Sequence, residues 1–245
     1  MLRTKILFVA LVAAFTLGLF TLGLFTPGSF TLASFASSSS RGVDPARFSS
    51  RIDNQWFPLK PGTTYVYSGA EEGKRSRDVV RVTHVTITIA GVECRVVRDV
   101  LYLGGRLAER TTDWYAQDES GNVWYFGERT AELDRRGRVT STEGSWRTGE
   151  GGAKPGILMR ARPQLGKAYR QEFYRGHAED YARAVGIFRT VTAPGMSNAL
   201  LTEEWSPLEP GVLDHKLYVR GIGNVVERTV KGGDEHLELQ SVRRG

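Results

Sequence analysis

Residues 113–128 read Asp-Trp-Tyr-Ala-Gln-Asp-Glu-Ser-Gly-Asn-Val-Trp-Tyr-Phe-Gly-Glu, the pattern of a β-hairpin. Asp118 suits the first position of a type I turn, where its carboxylate accepts a backbone N–H. Gly121 suits the left-handed residue that completes such a turn as a G1 bulge. This register pairs Gln117 with Val123, Tyr115 with Tyr125 and Trp114 with Phe126. Trp114, Trp124 and Phe126 then share one face, and Tyr115 and Tyr125 share the other with Asp113 and Gln117. Both faces are aromatic, so each should be covered, or one should line a cavity.

The same alternation extends outward. Val85, Ile87 and Ile89 alternate with Thr86 and Thr88, and Val92, Cys94 and Val96 alternate with Glu93 and Arg95 across a tight turn at Ala90-Gly91. Apolar runs then recur at short intervals: Thr63–Ser68, Val79–Ile89, Val92–Tyr102, Thr111–Gln117 and Val123–Leu133. A second series follows in Ala168–Tyr174, Leu200–Trp205, Lys216–Arg220, Val225–Val230 and Leu237–Val242. The pattern predicts one all-β, mainly antiparallel domain over 51–245, a strongly curved sheet or incomplete barrel with at most one short helix. Residues 149–156 read as a loop because Pro155 cannot donate to a ladder. Residues 178–188 fit a helix or a strand, and strand is preferred.

The chain opens on Arg3 and Lys5, an apolar run from Ile6 to Phe25, and Ser34-Phe35-Ala36 at a cleavage-like position. These features read as a signal peptide over 1–36, and Pro27-Gly28 breaks the run in favour of removal. Left uncut, the run is long enough to anchor in a bilayer, which would be the protein's one membrane contact. Residues 37–50 are Ser-rich and read as a tether. The expected location is secreted, periplasmic or cell-envelope, and no cysteine near the cut supports a lipid anchor.

Across the 245 residues, 40% hydrophobic and 24% charged content fits a folded protein and excludes wholesale disorder. There are 33 Lys+Arg against 27 Asp+Glu, and removing 1–36 leaves 31 against 27. These charges are spread along the chain and read as a solvated surface, so no nucleic-acid partner is expected and the chain should be a monomer. The single cysteine excludes an internal disulfide and any multi-cysteine metal site, and Cys94 reads as a buried small hydrophobe.

Catalytic signatures are absent: no nucleophile elbow, no H-E-x-x-H and no phosphate loop. Gly221-Ile222-Gly223-Asn224 is a turn into a strand. No cofactor is expected. His177, Glu179 and Asp180 are the one tight group of metal-capable side chains, weighed against the blander reading of a polar strand edge, which is preferred. Glu203-Glu204 and Asp113 with Glu128 offer carboxylate pairs of the kind a glycosidase uses. Trp114, Tyr115, Trp124, Tyr125, Trp146 and Trp205 are the candidate ligand-binding side chains.

Longer stretches carry a resemblance. Ile52-Asp53-Asn54, Phe57-Pro58-Leu59 with Pro61–Tyr67, Gly144-Ser145-Trp146, Pro155-Gly156-Ile157 and Tyr169–Glu172 belong to it, as do Asp113–Glu128, Glu204–Val212 and Gly221–Glu227. Over about 51–243 the chain resembles a family of exported bacterial proteins with no established activity. It departs at Ala193-Pro194-Gly195-Met196, where a Val-Pro-x-Gly turn would be expected. The resemblance implies export and a β-rich domain, and brings no cofactor or catalytic residue.

The expected function is non-enzymatic: binding of an apolar or amphipathic small ligand, or an envelope partner, in a sheet concavity. The alternatives are a hydrolase of envelope or extracellular glycans and a structural envelope protein without a pocket. The directions of Asp113, Glu128, Glu172 and Glu179 discriminate them, since convergent carboxylates in a wet cleft would favour the enzyme.

Overall fold

The computed structural model describes residues 43–192 and 195–245; the expected signal peptide, residues 37–42 of the expected tether, and Ala193-Pro194 lie outside them. A 3₁₀ turn, Pro45–Arg47, leads into β1 (Phe48–Ser49). Long meandering strands follow: β2 (Thr64–Glu71), β3 (Lys74–Ile89), β4 (Val92–Leu103), β5 (Arg106–Asp118) and β6 (Val123–Leu133). Short ones come next: β7 (Val139–Ser141), β8 (Trp146–Arg147), β9 (Lys154–Met159), β10 (Ala168–Arg170) and β11 (Glu172–Phe173). The chain ends in β12 (Tyr181–Thr192), β13 (Gly195–Trp205), β14 (Leu213–Val219), β15 (Gly223–Lys231) and β16 (His236–Arg243). The strand reading of 178–188 thus holds over β12.

The sheet is antiparallel and runs β10-β12-β13-β14-β15-β16-β2-β3-β4-β5-β6-β9-β11. Its two ends are consecutive in the chain, so the sheet curls nearly into a barrel. β10 pairs with β12 through Tyr169↔Ala182, and β11 pairs with β9 through Glu172↔Pro155. Gln171 sits at the switch. Its backbone N–H donates to the Asp180 carbonyl at 2.7 Å, and its Nε2 donates to the Leu158 carbonyl at 3.1 Å. The expected single strand over Ala168–Tyr174 therefore breaks in two, because one segment serves both edges of the sheet.

The loop reading of 149–156 is corrected at its end. Lys154-Pro155-Gly156 open β9, and Pro155 is tolerated there because it stands at the strand's start. Gly156 permits the closure: a Cβ on it would lie 2.3 Å from the Gln171 carbonyl oxygen.

The 113–128 hairpin forms as read, with one change of register. Gln117↔Val123 and Tyr115↔Tyr125 pair, but Trp114 faces Gly127, so Phe126 is a bulge. Asn122 N–H donates to Asp118 Oδ1 at 2.8 Å, and Gly121 has φ +83°. Ala90 and Gly91 both have positive φ, as a two-residue hairpin turn of this hand requires. Both aromatic faces are covered. Inside, Tyr115 and Tyr125 join the main core with Trp146, Met159 and Leu200. Outside, Phe126, Trp114 and Trp124 form a second cluster with Ile89 and Cys94. Its lid is the end of the stretch expected as a tether: Val43 and Phe48 pack on it, Phe48 edge-on to Trp124 at 5.7 Å and to Phe126 at 5.6 Å.

Candidate functional site

Alternation decides what the barrel interior contains. β14 turns Asp214, Lys216 and Tyr218 inward, β13 turns Leu200, Thr202 and Glu204, and β2 turns Tyr65 and Tyr67. The bulge at Phe126 matters most. In an unbroken register Glu128 would oppose Thr112 and point outward; with one extra residue it opposes Asp113 and is buried beside it.

The interior is an aromatic stack threaded with carboxyls. Tyr115 and Tyr125 stack with centroids 4.8 Å apart, and Trp146 meets Tyr125 edge-on at 5.4 Å. Tyr125 donates its hydroxyl to Asp113 Oδ1 at 2.9 Å, and Trp146 Nε1 donates to Glu172 Oε2 at 2.8 Å. Gly127 lets Trp146 in, since a Cβ there would lie 2.4 Å from the Trp146 carbonyl oxygen. On the other side Lys216 Nζ lies 3.1 Å from Glu204 Oε2 and 3.6 Å from Glu227 Oε1. Thr202 and Tyr218 hydroxyls donate to Glu204 Oε1 at 2.8 and 3.1 Å.

Burial lifts the carboxyls of Asp113, Glu128, Glu172 and Glu227 well above the ordinary range. It also lifts Asp180 to about 7, against the pull of Ser206 and Lys216. Glu172 and Asp180 face each other across the closure, and each perturbs the other's titration. Burial opposes the charge on Lys216, but Glu204, Glu227 and Asp214 outweigh it and hold the ammonium on.

A pH dependence follows. From the ordinary aspartate value of 3.8 up to about 7, the folded protein keeps a proton on Asp180 that the unfolded chain has lost. The folded state binds more protons in that window, so stability is greatest at its acid end and falls as pH rises, by about 1.4 kcal/mol per pH unit for each such proton. The melting temperature should drop between pH 5 and 8, and Asp180→Asn should make the drop shallower by one proton's share, the other raised carboxyls keeping theirs. A melting temperature independent of pH over that range would refute the raised Asp180 carboxyl.

The cavity inside this network, lined by Glu172, Asp180, Glu204 and Tyr125, is about 50 Å³. That is room for about three to five water molecules at about 10–15 Å³ each. Asp113, Glu128 and Glu172 do converge, but in a buried core rather than a wet cleft, and no sugar ring can enter it. Glu179 stands apart on a loop, accepting from Gly176 N–H at 2.8 Å.

A larger opening lies where the wall is interrupted. β15 and β16 pair only over Val226↔Glu238, Glu227↔Leu237 and Arg228↔His236, whereas β16 follows β2 as far as Arg243↔Thr64. Beyond Val226 the two strands part, and a cleft of about 700 Å³ occupies the gap. Leu217, Val219 and Val226 line it from the outer face, and Tyr65, Leu239 and Val242 from the barrel mouth. Lys60 and Arg244 are its charged residues, and no carboxylate lines it. Pro58 and Tyr65 also line the inner cavity, and the Tyr65 hydroxyl closes on the Pro58 carbonyl at 2.8 Å between the two spaces.

The six aromatic candidates are not brought to one place. Tyr115, Tyr125 and Trp146 are inside, Trp114 and Trp124 lie under the 43–48 segment, and Trp205 stacks on Tyr181 at 5.9 Å on the outer face. The metal candidates also part. His177 Nδ1 pairs with Glu143 Oε1 at 2.7 Å while Asp180 turns inward, and no group of three metal-capable side chains occurs among the described residues. Cys94 is buried, and burial pushes its thiol up to about 12, so it is not a reactive thiolate. The cleft residues carried no signal of their own, because an interruption in pairing is a relation between strands.

No known protein family matches the chain, and no curated protein matches it. Among solved structures, a Parabacteroides distasonis protein named a "putative lipoprotein" is similar, with a TM-score of 0.41 and 11% identity over 78% of this chain and 99% of that one. A superposition that loose transfers no role.

Proposed function

We propose that the protein is exported and holds one amphipathic anion, with its apolar chain in the β15–β16 cleft and its acidic head toward Lys60 and Arg244. The observation that carries this reading is the early parting of β15 from β16, filled by a space of small-ligand size with Leu217, Val219, Val226 and Leu239 in its lining. Pockets for such ligands run to about 300–1,000 Å³ with few polar groups, and this one is about 700 Å³. Apolar side chains lining the gap meet water while it is empty, and an apolar chain placed there would displace that water. The leader-like residues 1–36 and the resemblance to exported proteins support the location.

The test is displacement of 1-anilinonaphthalene-8-sulfonate by laurate. The parent should bind the dye with enhanced fluorescence and release it to laurate. Leu217→Glu with Val226→Glu, both on the outer face, should abolish binding and shift melting by only a few degrees. A parent that binds neither dye nor laurate would overturn the proposal and favour a structural protein.

A further inference from the structure

Among the described residues, twelve of the 27 acidic side chains are buried, against two basic ones, Arg95 and Lys216. The charges therefore do not form the evenly solvated surface that the composition suggests. Acid is concentrated inside and base outside.

The outer bases are also ordered. Cross-strand pairing places Arg243, Thr64, Arg81, Arg98, Thr112 and Arg129 side by side in one row over β16, β2, β3, β4, β5 and β6. Arg81 and Arg98 are direct partners, with Cβ atoms of such pairs about 4.5–5.5 Å apart, and like charges there are destabilising on their own. At the end of the row a groove of about 500 Å³ is lined by Arg81, Arg98, Arg243, Arg244 and His84, with no Asp or Glu side chain and with Gly245 as its one backbone carboxylate. Arg244 lines the apolar cleft as well, so the two spaces meet at its side chain.

We infer that the ligand is a lipid phosphate monoester, its phosphate held in the arginine groove and its chain in the adjoining cleft. The inference rests on the amphiphile reading and names the head. A guanidinium matches two phosphate oxygens at once, and a monoester carries close to two charges near pH 7. Several guanidiniums converging on one dianion relieve the repulsion between Arg81 and Arg98. A carboxylate, with one charge and two oxygens, leaves most of it in place.

The experiment compares lauryl phosphate with laurate, equal in chain length, as competitors for the dye on the full-length protein at low salt. Lauryl phosphate should bind about ten-fold tighter or better. Arg81→Gln with Arg98→Gln, both exposed, should erase that advantage while laurate binds as before. Equal affinities in the parent would overturn the inference and leave the amphiphile reading intact, whereas failure of both ligands would sink that reading too. Inorganic phosphate should not compete even at a hundred-fold excess. If it competes with lauryl phosphate in the parent, the groove takes free phosphate and the lipid assignment fails.

Discussion

Tyr115→Ala combined with Tyr125→Ala should leave a protein that is unfolded, or nearly so, at room temperature. The two rings are the centre of the barrel core, 0% and 1% exposed and stacked on each other. Phe57 leans on Tyr115 at 5.8 Å and Trp146 on Tyr125 at 5.4 Å, so truncation opens a cavity that four strands would have to collapse to fill. Large-to-small changes of this kind cost about 3–5 kcal/mol each. Because the rings touch, the pair will not add simply, but the loss is comparable to the whole stability of a domain, about 5–15 kcal/mol. The loss of the Tyr125 hydroxyl also strips Asp113 of its donor. Denaturant melts of the single and double variants measure this. A double variant within 2 kcal/mol of the parent (about the cost of one modest core change) would mean that these rings are not core.

The second large effect is expected at Lys216. Among the described residues its ammonium is the buried cation within reach of Glu204 and Glu227, and all three are at most 4% exposed. Removing one partner of a buried ion pair costs about 3–5 kcal/mol, since the charge left behind has neither water nor a counterion. Lys216→Met should therefore lower the denaturation midpoint strongly. Adding Glu204→Gln and Glu227→Gln should recover part of the loss, because the residual charges are then gone. Recovery distinguishes the electrostatic account from simple loss of packing, which the added glutamines would not repair. A midpoint unmoved by Lys216→Met would refute the triad.

Lys216 is a group whose direction the alternation rule alone could not place. In Leu213–Val219 the rule says that Asp214, Lys216 and Tyr218 share a face and that Leu213, His215, Leu217 and Val219 share the other. Solvation preference would turn the leucines inward. The fold does the opposite, because Lys216 finds Glu204 and Glu227 from other strands and the pair is stable only as a group. Glu128 was hidden for a different reason. Its inward direction depends on a one-residue bulge at Phe126, and a single inserted residue reverses the face of everything after it.

Residue order by itself determined the strand-by-strand meander, the turn chemistry at Asp118–Gly121 and Ala90-Gly91, and the two aromatic faces of the 113–128 hairpin. These are local facts, fixed by period-two alternation and by which residues accept positive φ. Tertiary structure decided the rest: the doubled use of Ala168–Phe173 to close the barrel, the acid core, the gap between β15 and β16, and the arginine row. Each depends on which distant strands become neighbours. Pairing energy is nearly the same for any two strands of suitable pattern, so register and neighbour choice are settled only by the whole set of contacts that close together.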